Sequence, residues 1–268
     1  MLNPLNALIP KDWFAFKLLV DDGEFVLGAL AADRARAVAD LDGAMHLEAG
    51  ALSWRAHGTS AEQRSDHLAG IARQLQQGGW VRGWRDECFR CELPVVDPLQ
   101  SIGDELFRLE RAAFRFFGLM SRAVHVNGYG VDSTMWCGRR AMSKTTDAGK
   151  LDNLAAGGLG ADESILDGVR RELWEEAGVP GDLSATVRAC GALRSTRLVP
   201  DGLHDEILHV FSLQIPDTFE PTNQDGEVSA FLRLDEQALA RCLAQDEFSI
   251  DAAAVIEFGR KFKSMAQR

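Results

Sequence analysis

Glu172, Glu175 and Glu176 stand at positions i, i+3 and i+4, with Arg171 beside them and Glu163 upstream. On a helix that spacing gathers the three carboxylates on one patch of surface. Like charges at i and i+4 destabilise an isolated helix. Their crowding is therefore better explained by a bound cation than by folding. Oxygen donors of this kind suit a hard divalent ion, Mg2+ or Mn2+, and Mg2+ commonly keeps waters and bridges to substrate phosphates. The competing reading is an acidic, solvated helix face, the usual fate of a charge run.

The element that must present these groups can be read around them. Ser164 is placed to cap a helix start, with Asp167 three residues on. Ile165, Val169, Leu173 and Ala177 then recur every four residues and make one buried face. Gly157 and Gly178 bracket the stretch.

Taken together, Gly157-x5-Glu163-x7-Arg171-Glu172-Leu173-x-Glu175-Glu176-x-Gly178-Val179 resembles the full Nudix box, with no departure at any defining position. The resemblance implies a loop–helix–loop that holds divalent metal against a diphosphate. It implies metal ligands at Glu172, Glu175 and Glu176, with Glu163 a further candidate, and one of these glutamates as the base in some members. It gives Arg171 the task of orienting a carboxylate by ion pairing, and Gly157 and Gly178 the shaping of two turns. The chemistry implied is metal-assisted hydrolysis of a phosphoanhydride.

A wider resemblance covers roughly residues 110–235. RAAFRFFGL, HVNGYG, CGRRAMSKTTDAGKLDNLAAGG and DGEVSAFLRL look like a Nudix branch with an N-terminal extension. That branch is related to the Nudix portion of fungal thiamine pyrophosphokinases and to plant relatives that hydrolyse oxidised thiamine diphosphates. Gly83-Trp84-Arg85-Asp86-Glu87 resembles part of the same extension.

The whole chain sets bounds. Its 268 residues suit one large or two small domains, and 46% hydrophobic content allows sizeable cores. A formal net charge of −11 argues against a binder of nucleic-acid polymer, which should be basic. It is compatible with a metal-chelated small phosphate ester, because the metal brings its own positive charge. Five cysteines, an odd number, point to a reducing compartment. Cys88-Phe-Arg-Cys91 is a lone CxxC without the second pair a zinc site needs, so both cysteines read as strand residues. No signal peptide or membrane-length apolar run is visible, and the expected location is the cytoplasm.

Along the chain, FAFKLLV and EFVLGAL read as strands joined at Asp21-Asp22-Gly23. Ala31 to Leu41 reads as a helix, MHLEAGALSW as strand, and a helix starting near Ser60 should end at Gly78-Gly79. Trp80 to Val96 reads as extended. Asp104 to Phe117 has near-helical apolar spacing and is expected to be one helix linking two units. Strands follow at SRAVHVNGYG and TMWCGRRA, then the glutamate helix, then strands over 185–197, 206–215 and 231–234. Two helices near 235–244 and 249–263 close the chain. The expected fold is α/β: a Nudix α/β/α sandwich with a mixed sheet over residues 119–268, preceded by a small α+β domain over 1–118.

Around the box, Arg139, Arg140 and Lys144 are cations placed to clamp a diphosphate, or else ordinary strand-edge charges. Asp152 and Asn153 read as turn-shaping residues. Glu227, after a turn glycine, is a candidate ligand or water-activating base. His204, Asp205 and Glu206 suggest a loop near substrate, while His125 and His209 read as satisfied strand partners. Trp84, Arg85 and Glu87 would suit a flat, charged leaving group; packing of Trp84 in the first domain is the alternative. The leading function is a Mg2+-dependent pyrophosphohydrolase of a small organic diphosphate, such as thiamine diphosphate or an oxidised form. The alternatives are hydrolysis of ADP-ribose or oxidised nucleotides, a ligand-binding regulator without catalysis, and, last, isopentenyl diphosphate isomerase. No membrane partner is expected, and a homodimer is left open.

Overall fold

The computed structural model describes residues 9–266. The reading of the opening residues as free of a signal peptide falls partly on 1–8 and lies outside the described residues. Among the described residues, no helix is long and apolar enough to cross a membrane. The chain divides into two compact units. The first comprises residues 1–121 with 160–162 and 194–207, and the second comprises 122–159, 163–193 and 208–268.

In the first unit, β1 (Phe14–Val20) and β2 (Gly23–Leu30) form the expected hairpin, closing at the Val20–Gly23 pair. After α1 (Ala32–Leu41), the MHLEAGALSW stretch splits into β3 (Met45–Glu48) and β4 (Ala51–Arg55), which pair antiparallel. The sheet order is β2-β1-β4-β3, and β1 runs parallel to β4. Helix α2 (Ala61–Gln77) starts on a reciprocal Ser60–Gln63 capping box, which satisfies two otherwise unpaired N–H groups. Leu68, Ile71 and Leu75 of α2 join Phe16, Leu18, Leu52 and Trp54 of the sheet in one core.

Two expectations in this unit need correction. Within Trp80–Val96 only β5 (Cys88–Glu92) is a strand; Gly83 and Asp86 take positive φ and turn the chain before it. Asp104–Phe117 is not one helix. It is β6 (Glu105–Glu110), antiparallel to β5, followed by α3 (Arg111–Phe117). The apolar spacing misleads because β6 is buried on both faces, with Leu106, Phe107 and Leu109 all shielded. Pairing with β5 overrides local helix preference. Glu110 ends the strand and caps α3, its carboxylate accepting the Ala112 N–H at 3.3 Å.

The second unit is built on a sheet of order β11-β12-β7-β8-β13. Its strands are β7 (Met120–Gly130), β8 (Met135–Arg140), β11 (Arg188–Val199), β12 (Gly202–Ile215) and β13 (Val228–Leu234), the first residues of β7 and the facing ends of β11 and β12 counting with the first unit. Short β9 (Leu151–Asp152) pairs with β8, and β10 (Ala155–Gly158) with β7. His204, Asp205 and Glu206, expected in a loop, lie within β12.

Alternation along the strands sorts residues to two faces. Val124, Val126, Phe211 and Leu213 pack with Val169, Leu173 and Ala177 of α4 (Ile165–Ala177). The next residues along, Ala123, Leu208 and Val210, pack with Val255 of α7 (Ile250–Ala266). Met135 and Cys137 meet Leu239 of α6 (Glu236–Ala244) with Ala252 and Ile256 of α7. A single turn, α5 (Gly181–Ser184), follows α4. Helices on both faces of one sheet give an α/β/α sandwich.

Candidate metal centre

Helix α4 carries the carboxylates, and its two ends are fixed by local chemistry. Ser164 caps the start, accepting the Asp167 N–H at 3.2 Å, while its hydroxyl donates to the Asp167 carboxylate at 2.6 Å. At the other end Gly178 takes φ 64°, and Val179 donates to the Leu173 carbonyl at 3.0 Å. This closure needs glycine twice over. The left-handed backbone disfavours a side chain, and an added Cβ would also lie 2.8 Å from the Thr222 carbonyl oxygen.

The hydrophobic period of α4 turns Val169, Leu173 and Ala177 inward. Glu172 and Glu176 fall on the same side and are buried, at 7% and 5% exposure. The Glu172 carboxylate sits against the backbone of β10: a Cβ on Gly157 would come within 1.9 Å of its oxygen. Glu176 accepts the Ala156 N–H at 2.9 Å. The glycine of the box is thus a space into which a carboxylate fits.

Arg171 is pinned by five hydrogen bonds. It grips Glu163 with two nitrogens at 2.7 and 2.8 Å. It donates to Glu172 at 2.6 Å, to Glu175 at 3.1 Å and to the Gly158 carbonyl at 3.0 Å. Such a fork-like arrangement suits a guanidinium and not an ammonium. Both Glu163 oxygens accept from Arg171, so Glu163 is tied to the guanidinium.

Further charges come from the β8–β9 connection and the loop before β13. The backbone of that loop is strapped to the end of α4: Thr222 and Gln224 donate to the carbonyls of Ala177 and Glu175 at 3.0 and 2.8 Å. These bonds satisfy helix-terminal acceptors and bring Glu227 beside the helix. Glu227 pairs with Lys144, and the Ala141 N–H donates to the Glu227 carbonyl at 2.8 Å. Arg140 binds Asp152 at 2.7 Å and the Thr146 carbonyl through two nitrogens.

The titration behaviour follows from this crowding. Burial above all pushes Glu172 up to about 7; Arg171 opposes the shift, and Glu175 and Glu227 add to it. Burial also drives Glu176 well above the usual carboxylate range, with Glu172 and Asp152 contributing and the Ala156 N–H and Lys144 opposing. Carboxylates that hold protons because they are buried and crowded by other carboxylates are a donor set that a hard divalent cation fits.

The structure therefore brings together Glu163, Arg171, Glu172, Glu175, Glu176, Arg140, Lys144 and Glu227. Arg139 is set apart. It alternates to the other sheet face from Arg140, donates to the Gly149 carbonyl at 2.8 Å, and lies 4.0 Å from Glu247. Trp84 and Arg85 belong to the first unit. Trp84 packs on that unit's core, and its indole N–H donates to Asp86 at 2.8 Å. The Arg85 backbone N–H donates to Glu110 at 3.1 Å. His125 bonds Asn153 at 2.8 Å, and His209 lies 3.3 Å from Arg122.

Sequence reasoning missed two contributors. Asp152 was read as a turn residue but is the counter-ion of Arg140 and raises Glu176. The strap through Thr222 and Gln224 left no signal beyond a polar run before Gly226, because its partners lie some 45 residues earlier.

Comparison with known proteins matches the region that carries α4. Residues 122–253 match the family described as NUDIX domain, and residues 16–121 match a domain of unknown function, DUF4743. The chain thus carries a Nudix domain, with an extension preceding it. It is 32% identical over 198 residues to Nudix hydrolase 24, chloroplastic, of Arabidopsis thaliana, covering 73% of this chain and 53% of that protein. It is 31% identical to Nudix hydrolase 20, chloroplastic, of the same plant, covering 70% and 49%. The chain thus spans about half the length of these curated relatives. The crystal structure of DR0079 from Deinococcus radiodurans is similar in fold, with a TM-score of 0.50 at 20% identity over 64% of this chain and 98% of that one.

Proposed function

We propose that the protein is a metal-dependent pyrophosphohydrolase that cleaves the phosphoanhydride of a small organic diphosphate to a monophosphate and phosphate. The observation that carries this reading is the pair of buried, proton-retaining carboxylates, Glu172 and Glu176, beside Glu175 and the pinned Arg171. Glu172, Glu175 and Glu176 are the residues that would hold Mg2+ or Mn2+. When bound, the ion offsets phosphate charge and lowers the pKa of a coordinated water.

The chain's own groups have separate tasks. Arg171 fixes the direction of Glu172 and Glu175 through its bonds to both. Lys144 and Arg140 supply positive charge for the diphosphate oxygens. Glu227, paired with Lys144 beside α4, is the candidate for a further ligand to the ion or for the base that takes a proton from the attacking water.

The substrate class rests on the resemblance of LDNLAAGG and DGEV to the thiamine-related branch. Those two motifs supply β9, β10 and the loop carrying Glu227, segments that meet the α4 carboxylates through the Ala156–Glu176 hydrogen bond and the charge of Glu227 near Glu172. The test is release of phosphate and monophosphate from thiamine diphosphate, oxothiamine diphosphate, ADP-ribose, NADH and nucleoside triphosphates, with Mg2+ and with chelator. Turnover of a thiamine diphosphate that chelator abolishes is the expected outcome. Preferential cleavage of ADP-ribose would replace the substrate, and full activity in chelator would remove the metal from the mechanism.

A further inference from the structure

Lys144 differs from the other two cations of the pocket. Arg171 is fixed by five hydrogen bonds and Arg140 by three. Among the described residues, the Lys144 ammonium hydrogen-bonds to one group, the Glu227 carboxylate. Both side chains are largely shielded, at 16% and 30% exposure.

The backbone around the pair is held. The Lys144 N–H donates to the Ala141 carbonyl at 3.1 Å, and the Ala141 N–H to the Glu227 carbonyl at 2.8 Å. Only the side chains are left to rearrange. A compact ammonium on a four-carbon stem can swing away from its partner without moving the main chain, which a guanidinium locked by five bonds cannot do. The Glu227 carboxylate can therefore face one cation or another, but a lysine ammonium and a divalent ion at the same oxygens would repel.

We propose that Lys144 is a resident counter-ion of the carboxylate pocket: a divalent metal displaces it from Glu227, and the freed ammonium turns to the substrate diphosphate. This inference rests on the functional reading above. It makes metal entry and the readiness of the phosphate-binding cation two sides of one exchange, and binding linkage of this kind is reciprocal.

The test uses Mn2+ alone, without substrate, titrated into the full chain by calorimetry or by loss of the free-ion paramagnetic resonance signal. Lys144→Met removes the competing charge and should tighten Mn2+ binding about three- to tenfold. Lys144→Arg keeps the charge and should not tighten it. In the Glu227→Gln background, Lys144→Met should lose its effect, because the exchange needs the carboxylate. Circular dichroism checks folding, and Lys144→Gln serves if the methionine variant does not fold. Unchanged or weaker Mn2+ binding in the uncharged variants overturns the exchange. Equal tightening with and without Glu227 also overturns it, by reducing the effect to general charge. Failure of the folded wild-type protein to bind Mn2+ at all would instead overturn the functional reading itself.

Discussion

A carboxyl group that keeps its proton to about pH 7 ligates metal poorly until that proton leaves, and Glu172 is such a group. Its folded pKa lies above the ordinary glutamate value near 4.3. The stability it contributes to the metal-free protein is therefore fully present below that ordinary value and is lost as pH rises through about 7, at ~1.4 kcal/mol per pH unit at the steepest. In chelator, the melting temperature should fall between pH 5.5 and 8.5, and added Mg2+ should raise it more at pH 8.5 than at pH 5.5. A metal increment independent of pH would mean that Glu172 takes no part. Glu176→Gln tests the neighbouring position. Glutamine retains the size and an acceptor for the Ala156 N–H, so the metal-free melting temperature should hold or rise. Catalytic support worth roughly 3–5 kcal/mol should vanish, cutting kcat by about 10^2 to 10^4. Near wild-type turnover in the folded variant would move the catalytic centre elsewhere. At this scale most of the pocket was legible in the sequence, because Glu163, Arg171, Glu172, Glu175 and Glu176 sit on one local helix and its approach. Lys144, Arg140 and Glu227 were legible as candidates only. Their pairing with each other and with Asp152 is tertiary, and spacing does not encode it.

Among the elements, α4 was readable from its cap, its four-residue apolar period and its closing glycine, all of which are local signals. The β6–α3 junction was not. Leu106 and Leu109 look helical in sequence because the strand they belong to is covered on both sides, with Phe107 buried between them. The decisive residue there is Glu110, 4% exposed, whose carboxylate accepts the backbone N–H groups of Arg85, Glu87 and Ala112 at 3.1, 3.2 and 3.3 Å. Glutamate is not among the favoured helix caps, so its role cannot be anticipated from residue type. Glu110→Ala would strand these donors, and the expected loss is about 2 kcal/mol in urea unfolding. A loss below about 0.5 kcal/mol would show that water replaces the carboxylate without penalty.

For the molecule as a whole, the strongly acidic balance argues against a polymer-binding role but says nothing of what the first unit does. The sequence-based expectation that Trp84 reads a flat leaving group, against its observed packing on the core of the first unit, is open to a direct check. Trp84→Leu preserves an apolar contact with the core while removing the aromatic face. It should raise KM or shift preference among diphosphates, with kcat on the simplest substrate little changed. An unchanged substrate profile would assign Trp84 to packing alone. The first unit also has a property that its matched span, residues 16–121, conceals. Its Arg34 donates to the carbonyls of Asp201 and, at 2.8 Å, Pro200, both at the turn joining β11 to β12. That turn and the strand ends beside it, residues 194–207, count with the first unit although they lie far downstream in the chain. The extension is thus not a cassette that heredity can cut and paste at a single junction. A recombination placing residues 1–121 ahead of a different hydrolase would leave Arg34 without its acceptors unless the new partner carried a hairpin tip of matching length. A transplant of the extension would have to carry the 194–207 segment with it.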